Sequence, residues 1–147
     1  MESNFNFKNF SIVIPIFNEE EILEESTNAI FSLCKRMEID FEIIFSENGS
    51  TDKTKAIAEE LTNKHREIKI ISNPEPNYGN ALKTGFKIAK NDLVISFDID
   101  YYSKSFLHEA LMLNSEYSSI TASKRLNSSE DGRRFIRRLA TNFFVIL

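Results

Sequence analysis

An α/β fold, with a doubly wound, mostly parallel sheet and helices on both faces, is what this 147-residue sequence predicts. Two observations carry that expectation. Short apolar runs rich in β-branched residues alternate with stretches whose apolar residues recur at helical spacing, the pattern of repeated βα units. The residues capable of chemistry also cluster directly after the apolar runs, where a sheet of this kind places its ligands, near the switch point in strand order.

Phe10 to Ile16, closed by Pro15, reads as a first strand buried on both faces. Asn18 with Glu21 three residues on forms a capping-box pattern, so the first helix is expected from Asn18 to about Met37. Its inward stripe would be Ile22, Leu23, Ala29, Ile30, Leu33, Cys34 and Met37, which makes Cys34 a core residue rather than a reactive one. Phe41 to Ser46 is the second strand. It ends in the turn Glu47-Asn48-Gly49-Ser50-Thr51-Asp52, from which Ser50 or Thr51 can cap a helix from Asp52 to about His65. Ile68 to Ser72 is the third strand, and Asn73-Pro74-Glu75-Pro76-Asn77 forces a non-helical loop before a helix from about Gly79 to Lys90. Leu93 to Phe97 is the fourth strand. A helix from Lys104 to Glu116, a fifth strand from Ser118 to Ser123, a polar loop from Leu126 to Gly132 and a basic helix from Arg133 complete the chain.

The apolar and charged fractions, 41% and 27%, are those of an ordinary globular domain and exclude a disordered chain. The formal charge of −4 argues against a general nucleic-acid binder. A single cysteine, Cys34, excludes an internal disulfide and a cysteine-ligated zinc site. Met1 to Asn9 has neither the basic nor the apolar region of a secretory signal, so a cytoplasmic location is expected. No G-x-G-x-x-G follows the first strand and no G-x-x-x-x-G-K-[ST] occurs, which disfavours dinucleotide and P-loop chemistry.

Asp98-Ile99-Asp100 follows the fourth strand. In an extended segment alternate side chains share a face, so both carboxylates should project together while Ile99 points inward. Such a pair suits a hard divalent cation, Mg²⁺ or Mn²⁺, brought in with a phosphate group. Read alone, the same pattern also suits aspartates that cap the next turn. Lys124 and Arg125 after the fifth strand would complement a metal-bridged diphosphate, leaving Glu47 and Asn48 free to hydrogen-bond a base or ribose; otherwise the two cations belong to a solvated loop.

Five motifs in order then resemble the N-terminal part of a family 2 glycosyltransferase with the GT-A fold, closest to the dolichyl- or polyprenyl-phosphate hexosyltransferase branch. They are Ser11 to Glu20 (SIVIPIFNEE), Asn48 to Asp52 (NGSTD), Asn77 to Gly85 (NYGNALKTG), Asp98-Ile99-Asp100 and Ala122-Ser123-Lys124-Arg125. The resemblance implies an inverting transferase that moves a hexose from a GDP- or UDP-sugar, with a divalent cation. By family motif, Pro15, Phe17, Glu19, Glu47 and Asn48 would line the nucleoside pocket. Asp98 and Asp100 would hold the metal and the donor diphosphate, and Lys124 and Arg125 would steady phosphate charge.

A polyprenyl phosphate acceptor arrives already ionised and needs no general base. No strong base candidate follows Asp100, since Glu109, Glu116, Glu130 and Asp131 lie on an expected helix or polar loop. The segment 133–147 reads as a basic amphipathic helix suited to a membrane surface, and it resembles the interfacial helix of polyprenyl-phosphate transferases, whose acceptor-phosphate pattern would fall on Arg134, Arg138 and Asn142; a cationic helix packed on the sheet is the other reading. The chain stops in mid-helix, so it is expected to be a catalytic domain, residues 1–147, lacking its last part. Other readings are a transferase with a hydroxyl acceptor on a surface glycan and a silent nucleotide-sugar binding domain. The second is prompted by departures from the family pattern at Phe17, Glu47, Asn48, Tyr102 and Arg138.

Overall fold

The computed structural model describes residues 5–112. In chain order these form β1 (Asn9–Ile16), α1 (Leu23–Lys35), β2 (Asp40–Glu47), α2 (Thr54–Lys64), β3 (Ile68–Ser72), α3 (Tyr78–Ile88), β4 (Val94–Ser96) and α4 (Lys104–Met112). The strands make one parallel sheet in the order β3-β2-β1-β4. The alternating, parallel architecture is therefore as expected. The expected fifth strand and basic helix lie outside the described residues.

Side-chain parity along the strands assigns the helices to faces. Phe10, Ile12, Ile14 and Ile16 of β1 join Ile43 and Phe45 of β2, and the register pairs Ile12 with Ile43, so these residues share one face. That face carries α1 through Leu23, Ile30, Leu33 and Cys34, α2 through Ala58 and Leu61, and α4 through Leu107, Ala110 and Leu111. Each fully buried isoleucine or leucine contributes roughly 2 kcal/mol. Cys34 is a packed core thiol, as expected, and burial pushes it up to about 12.

The opposite face takes α3, which lies against β1 and β2. The approach is close because Gly85 meets Val13 without a side chain: a Cβ there would overlap Val13 Cγ1. Ser46 Oγ donates to the Ala81 carbonyl at 2.7 Å and fastens the same helix to β2.

Helix starts differ from expectation for one physical reason: the loops claim the capping side chains first. Asn18 does not cap α1. It adopts φ 53, a left-handed conformation that asparagine tolerates, and α1 begins only at Leu23, where the Ile22 and Leu23 N–H groups donate to the Glu19 carbonyl. Neither Ser50 nor Thr51 caps α2, which starts at Thr54 with Asp52 Oδ1 accepting from the Thr54 N–H at 2.9 Å. Asn77 caps α3 by accepting from the Asn80 N–H at 2.9 Å. Ala29 is only half-buried, and Thr27 takes an inward position instead.

At the amino ends of the strands a polar cluster ties the α3–β4 connection to the sheet. Glu42 is 6% exposed, accepts from the Ser11 hydroxyl and the Lys90 N–H at 2.7 Å each, and pairs with the Lys69 ammonium. Burial raises the Glu42 carboxyl, but the hydrogen bonds from Lys69, Lys90 and Ser11 more than offset it and leave the group below its ordinary 4.5. A carboxylate depressed in the folded state stabilises above its unfolded pKa, and that stability is lost as pH falls through the folded value. Glu42→Gln should therefore be less stable than wild type at neutral pH. Its denaturation midpoint should also fall less steeply between about pH 5 and about pH 3, as followed by urea unfolding.

Candidate active site

β1 is the switch point of the sheet, with β2 on one side and β4 on the other. The crevice for a ligand therefore opens at the carboxyl ends of β1, β2 and β4. Four segments meet there: 17–22 after β1, 48–53 after β2, 73–77 after β3 and 97–103 after β4.

The first two segments are stitched to each other. The Asn18 N–H donates to Ser50 Oγ at 3.1 Å, and Asn18 Oδ1 accepts from the Thr51 N–H at 2.9 Å. The Glu19 N–H donates to Thr54 Oγ1 at 2.7 Å. Glu20 and the 52–53 pair exchange bonds, the Glu20 N–H giving to Asp52 Oδ2 and Glu20 Oε2 accepting from the Lys53 N–H. Gly49, at φ 74, supplies a left-handed turn in which a side chain would crowd Pro74 and Pro76.

Of the residues expected to meet a nucleoside, Pro15 and Glu19 are half-buried and Phe17 is exposed. Glu47 and Asn48 are both buried. Glu47 Oε1 accepts from the Ser50 N–H, and Asn48 Oδ1 accepts from the Asn77 N–H at 2.7 Å, so these acceptors shape their own loop and its neighbour. An asparagine at a strand end readily satisfies nearby backbone donors.

The aspartate pair departs from expectation in backbone form. β4 ends at Ser96, two residues short of the pair, and Asp98 to Tyr101 forms a tight turn in which the Tyr101 N–H donates to the Asp98 carbonyl at 3.0 Å. Burial still alternates as expected, with Ile99 buried and Asp98 and Asp100 half-buried. Both aspartates act on a third residue, Tyr78, the first of α3. Its hydroxyl donates to Asp98 Oδ1 at 3.0 Å. Partial burial of the hydroxyl, then the negative charge of Asp98 and Asp100, pushes it up to about 12.

Asp98 and Asp100 offer oxygen only, the donor type that Mg²⁺ and Mn²⁺ prefer. Among the described residues no group of three or more His, Cys, Asp or Glu could hold a metal ion. The pair therefore suits a cation that draws its remaining ligands from water or a diphosphate. Lys124, Arg125, Arg134 and Arg138 lie outside the described residues.

Two residues of this region are not apparent as site residues in the sequence. Tyr78 sits inside a quoted motif, but its partner Asp98 is twenty residues away and only the fold brings them together. Asn73 reads as loop, yet it is 5% exposed. Its Nδ2 donates to Ser46 Oγ and the Glu47 carbonyl, and its Oδ1 accepts from Asn80 Nδ2 and Thr84 Oγ1.

Residues 11–143 match the family described as glycosyl transferase family 2. Over 92 residues the chain is 37% identical to an undecaprenyl-phosphate 4-deoxy-4-formamido-L-arabinose transferase of Proteus mirabilis, covering 61% of this chain and 28% of that protein. It is 31% identical over 138 residues to an uncharacterised glycosyltransferase of Synechocystis, covering 91% and 42% respectively. The chain thus spans less than half the length of these relatives. Among solved structures, S. aureus TarS 1-349 in complex with UDP-GlcNAc superposes with a TM-score of 0.57 at 26% identity, covering 69% of this chain and 30% of the 1-349 chain. The mannosyltransferase PcManGT of Pyrobaculum calidifontis, in complex with GDP-Man and Mn²⁺, superposes with a TM-score of 0.62 at 18% identity, covering 76% and 34%. The fold is of the GT-A type, as the sequence motifs imply.

Proposed function

The chain belongs to glycosyl transferase family 2, and on that premise we propose that it binds the donor in an inverting transfer of a hexose from a nucleoside-diphosphate sugar to a polyprenyl phosphate. The observation that carries the reading is the Asp98–Tyr101 turn, which sets two carboxylates at the carboxyl end of the strand beside the switch point. The names of the curated relatives, transferases acting on undecaprenyl phosphate, support the acceptor, and the UDP-GlcNAc complex of TarS supports a nucleotide-sugar donor.

In this reading Pro15, Phe17 and Glu19, together with Glu47 and Asn48, line the nucleoside cradle, whose shape is fixed by the loop-to-loop bonds of Asn18, Ser50 and Thr51. Asp98 and Asp100 hold the diphosphate end. A divalent cation bound there supplies positive charge to the leaving group. An oxygen of the acceptor phosphate attacks the anomeric carbon as the bond from that carbon to the β-phosphate oxygen breaks. The electron pair leaves with the nucleoside diphosphate, and configuration inverts. No side chain has to remove a proton, because the attacking phosphate is already ionised. Lys124 and Arg125 steady the phosphates, and Arg134 and Arg138 meet the acceptor head group. Among the described residues no helix is long and apolar enough to cross a membrane. The proposed workplace is the cytoplasmic face of a membrane, reached through the basic segment 133–147.

The test is transfer by the full-length protein from radiolabelled UDP- and GDP-sugars to undecaprenyl phosphate in detergent micelles, with and without Mn²⁺ or Mg²⁺. Label in the lipid fraction only when a divalent cation is present is the expected result. Label moving instead to a hydroxyl-bearing glycan would overturn the acceptor, and metal-independent transfer would overturn the role of the aspartates.

A further inference from the structure

Tyr78 is 55% exposed, so apolar burial does little to hold its ring. Its backbone, by contrast, is held from several sides. Asn77 caps the helix that Tyr78 begins, the Asn77 N–H is fixed by Asn48 Oδ1, Asn80 is held by Asn73, and the Ala81 carbonyl is held by Ser46. From this anchored start of α3 the hydroxyl reaches the turn after β4 and donates to Asp98 Oδ1 at 3.0 Å. An ionised carboxylate has about four acceptor positions, and the hydroxyl uses one of them. The bond restricts rotation of the carboxylate about its Cβ–Cγ axis. A rigid element thereby fixes a flexible ligand on a turn, the arrangement by which outer hydrogen bonds orient the carboxylates of metal sites.

We infer that Tyr78 is a positioning residue for Asp98, and that its hydroxyl sets the carboxylate orientation in which a divalent cation is bound together with a nucleoside diphosphate. The inference rests on the reading of Asp98 and Asp100 as the cation-holding pair. It extends that pair to a residue on α3, whose contribution comes through a hydrogen bond rather than through contact with the cation.

The experiment is Mn²⁺ titration of the full-length protein with saturating UDP or GDP, followed by the electron paramagnetic resonance signal of free Mn²⁺. Tyr78→Phe keeps the ring and removes only the hydroxyl. It should weaken Mn²⁺ binding about tenfold, while the melting temperature without metal stays at the wild-type value. In an Asp98→Asn background, adding Tyr78→Phe should weaken binding no further, because the hydroxyl acts through the carboxylate already lost. Unchanged Mn²⁺ affinity in Tyr78→Phe, or an equal loss in both backgrounds, would overturn the inference while leaving the aspartates in place. Absence of Mn²⁺ binding by the wild-type protein would instead remove the cation site itself, and this inference with it.

Discussion

Asp98→Asn should lower sugar transfer by the full-length protein about a hundredfold to a thousandfold, the loss expected when a charged group that stabilises a leaving diphosphate is neutralised. The substitution is nearly isosteric, and Asp98 is half-buried on a turn closed by backbone groups, through the Tyr101 N–H and the Asp98 carbonyl. The fold should therefore survive. The loss should appear in kcat with little change in thermal stability, and Mn²⁺ affinity measured with a bound nucleotide should fall in parallel. Wild-type turnover in Asp98→Asn would take this residue out of the chemistry.

Asn73→Ala should produce the largest loss of stability among the polar substitutions considered, about 2–4 kcal/mol. Its side chain is buried and makes four hydrogen bonds, two to the end of β2 and two to α3. Truncation removes partners from Ser46, Asn80 and Thr84 at once and leaves a polar void that alanine cannot fill. The urea midpoint should drop with an unchanged m-value, because the folded state remains compact while losing these bonds. An effect below about 0.5 kcal/mol, the range of ordinary surface substitutions, would show that water replaces the asparagine without cost.

The sheet was legible because its strands are apolar runs, with β1 and β2 buried on both faces, and the helices because their apolar residues recur at a fixed period. Those signals depend on burial, which sequence patterns record. The capping assignments at Asn18, Ser50 and Thr51 failed for a different reason. Each residue has the right chemistry to cap its own helix, yet each is used by a loop some thirty residues away, and competition of that kind has no local trace. The Asp98 and Asp100 pair was legible as a constellation, and the alternation of burial around Ile99 was correct, although the backbone there is a turn rather than a strand. Glu47 and Asn48 were legible as strand-end residues; Glu47 takes the Ser50 N–H within its own loop, whereas the partner of Asn48, the Asn77 N–H, follows only from the approach of the 73–77 segment. Tyr78 lies within a family motif, but its place beside Asp98 depends on a contact between α3 and the turn after β4 that the sequence does not record.

The bonds between the loops after β1 and β2 also act as a proofreader of strand alignment. Parallel strands with near-continuous apolar sequences have few side-chain features to oppose a slip, and a two-residue shift would keep every side chain on its own face. Here β1 and β2 are in register from Asn9 with Asp40 to Ile16 with Glu47. Directly beyond that register, the Asn48 N–H meets the Ile16 carbonyl, and Asn18, Glu19 and Glu20 find their partners among residues 50–54. A slipped pairing would move Asn18 away from Ser50 and Thr51 and break these bonds together, so the loops that shape the crevice also penalise a misaligned central pair of strands.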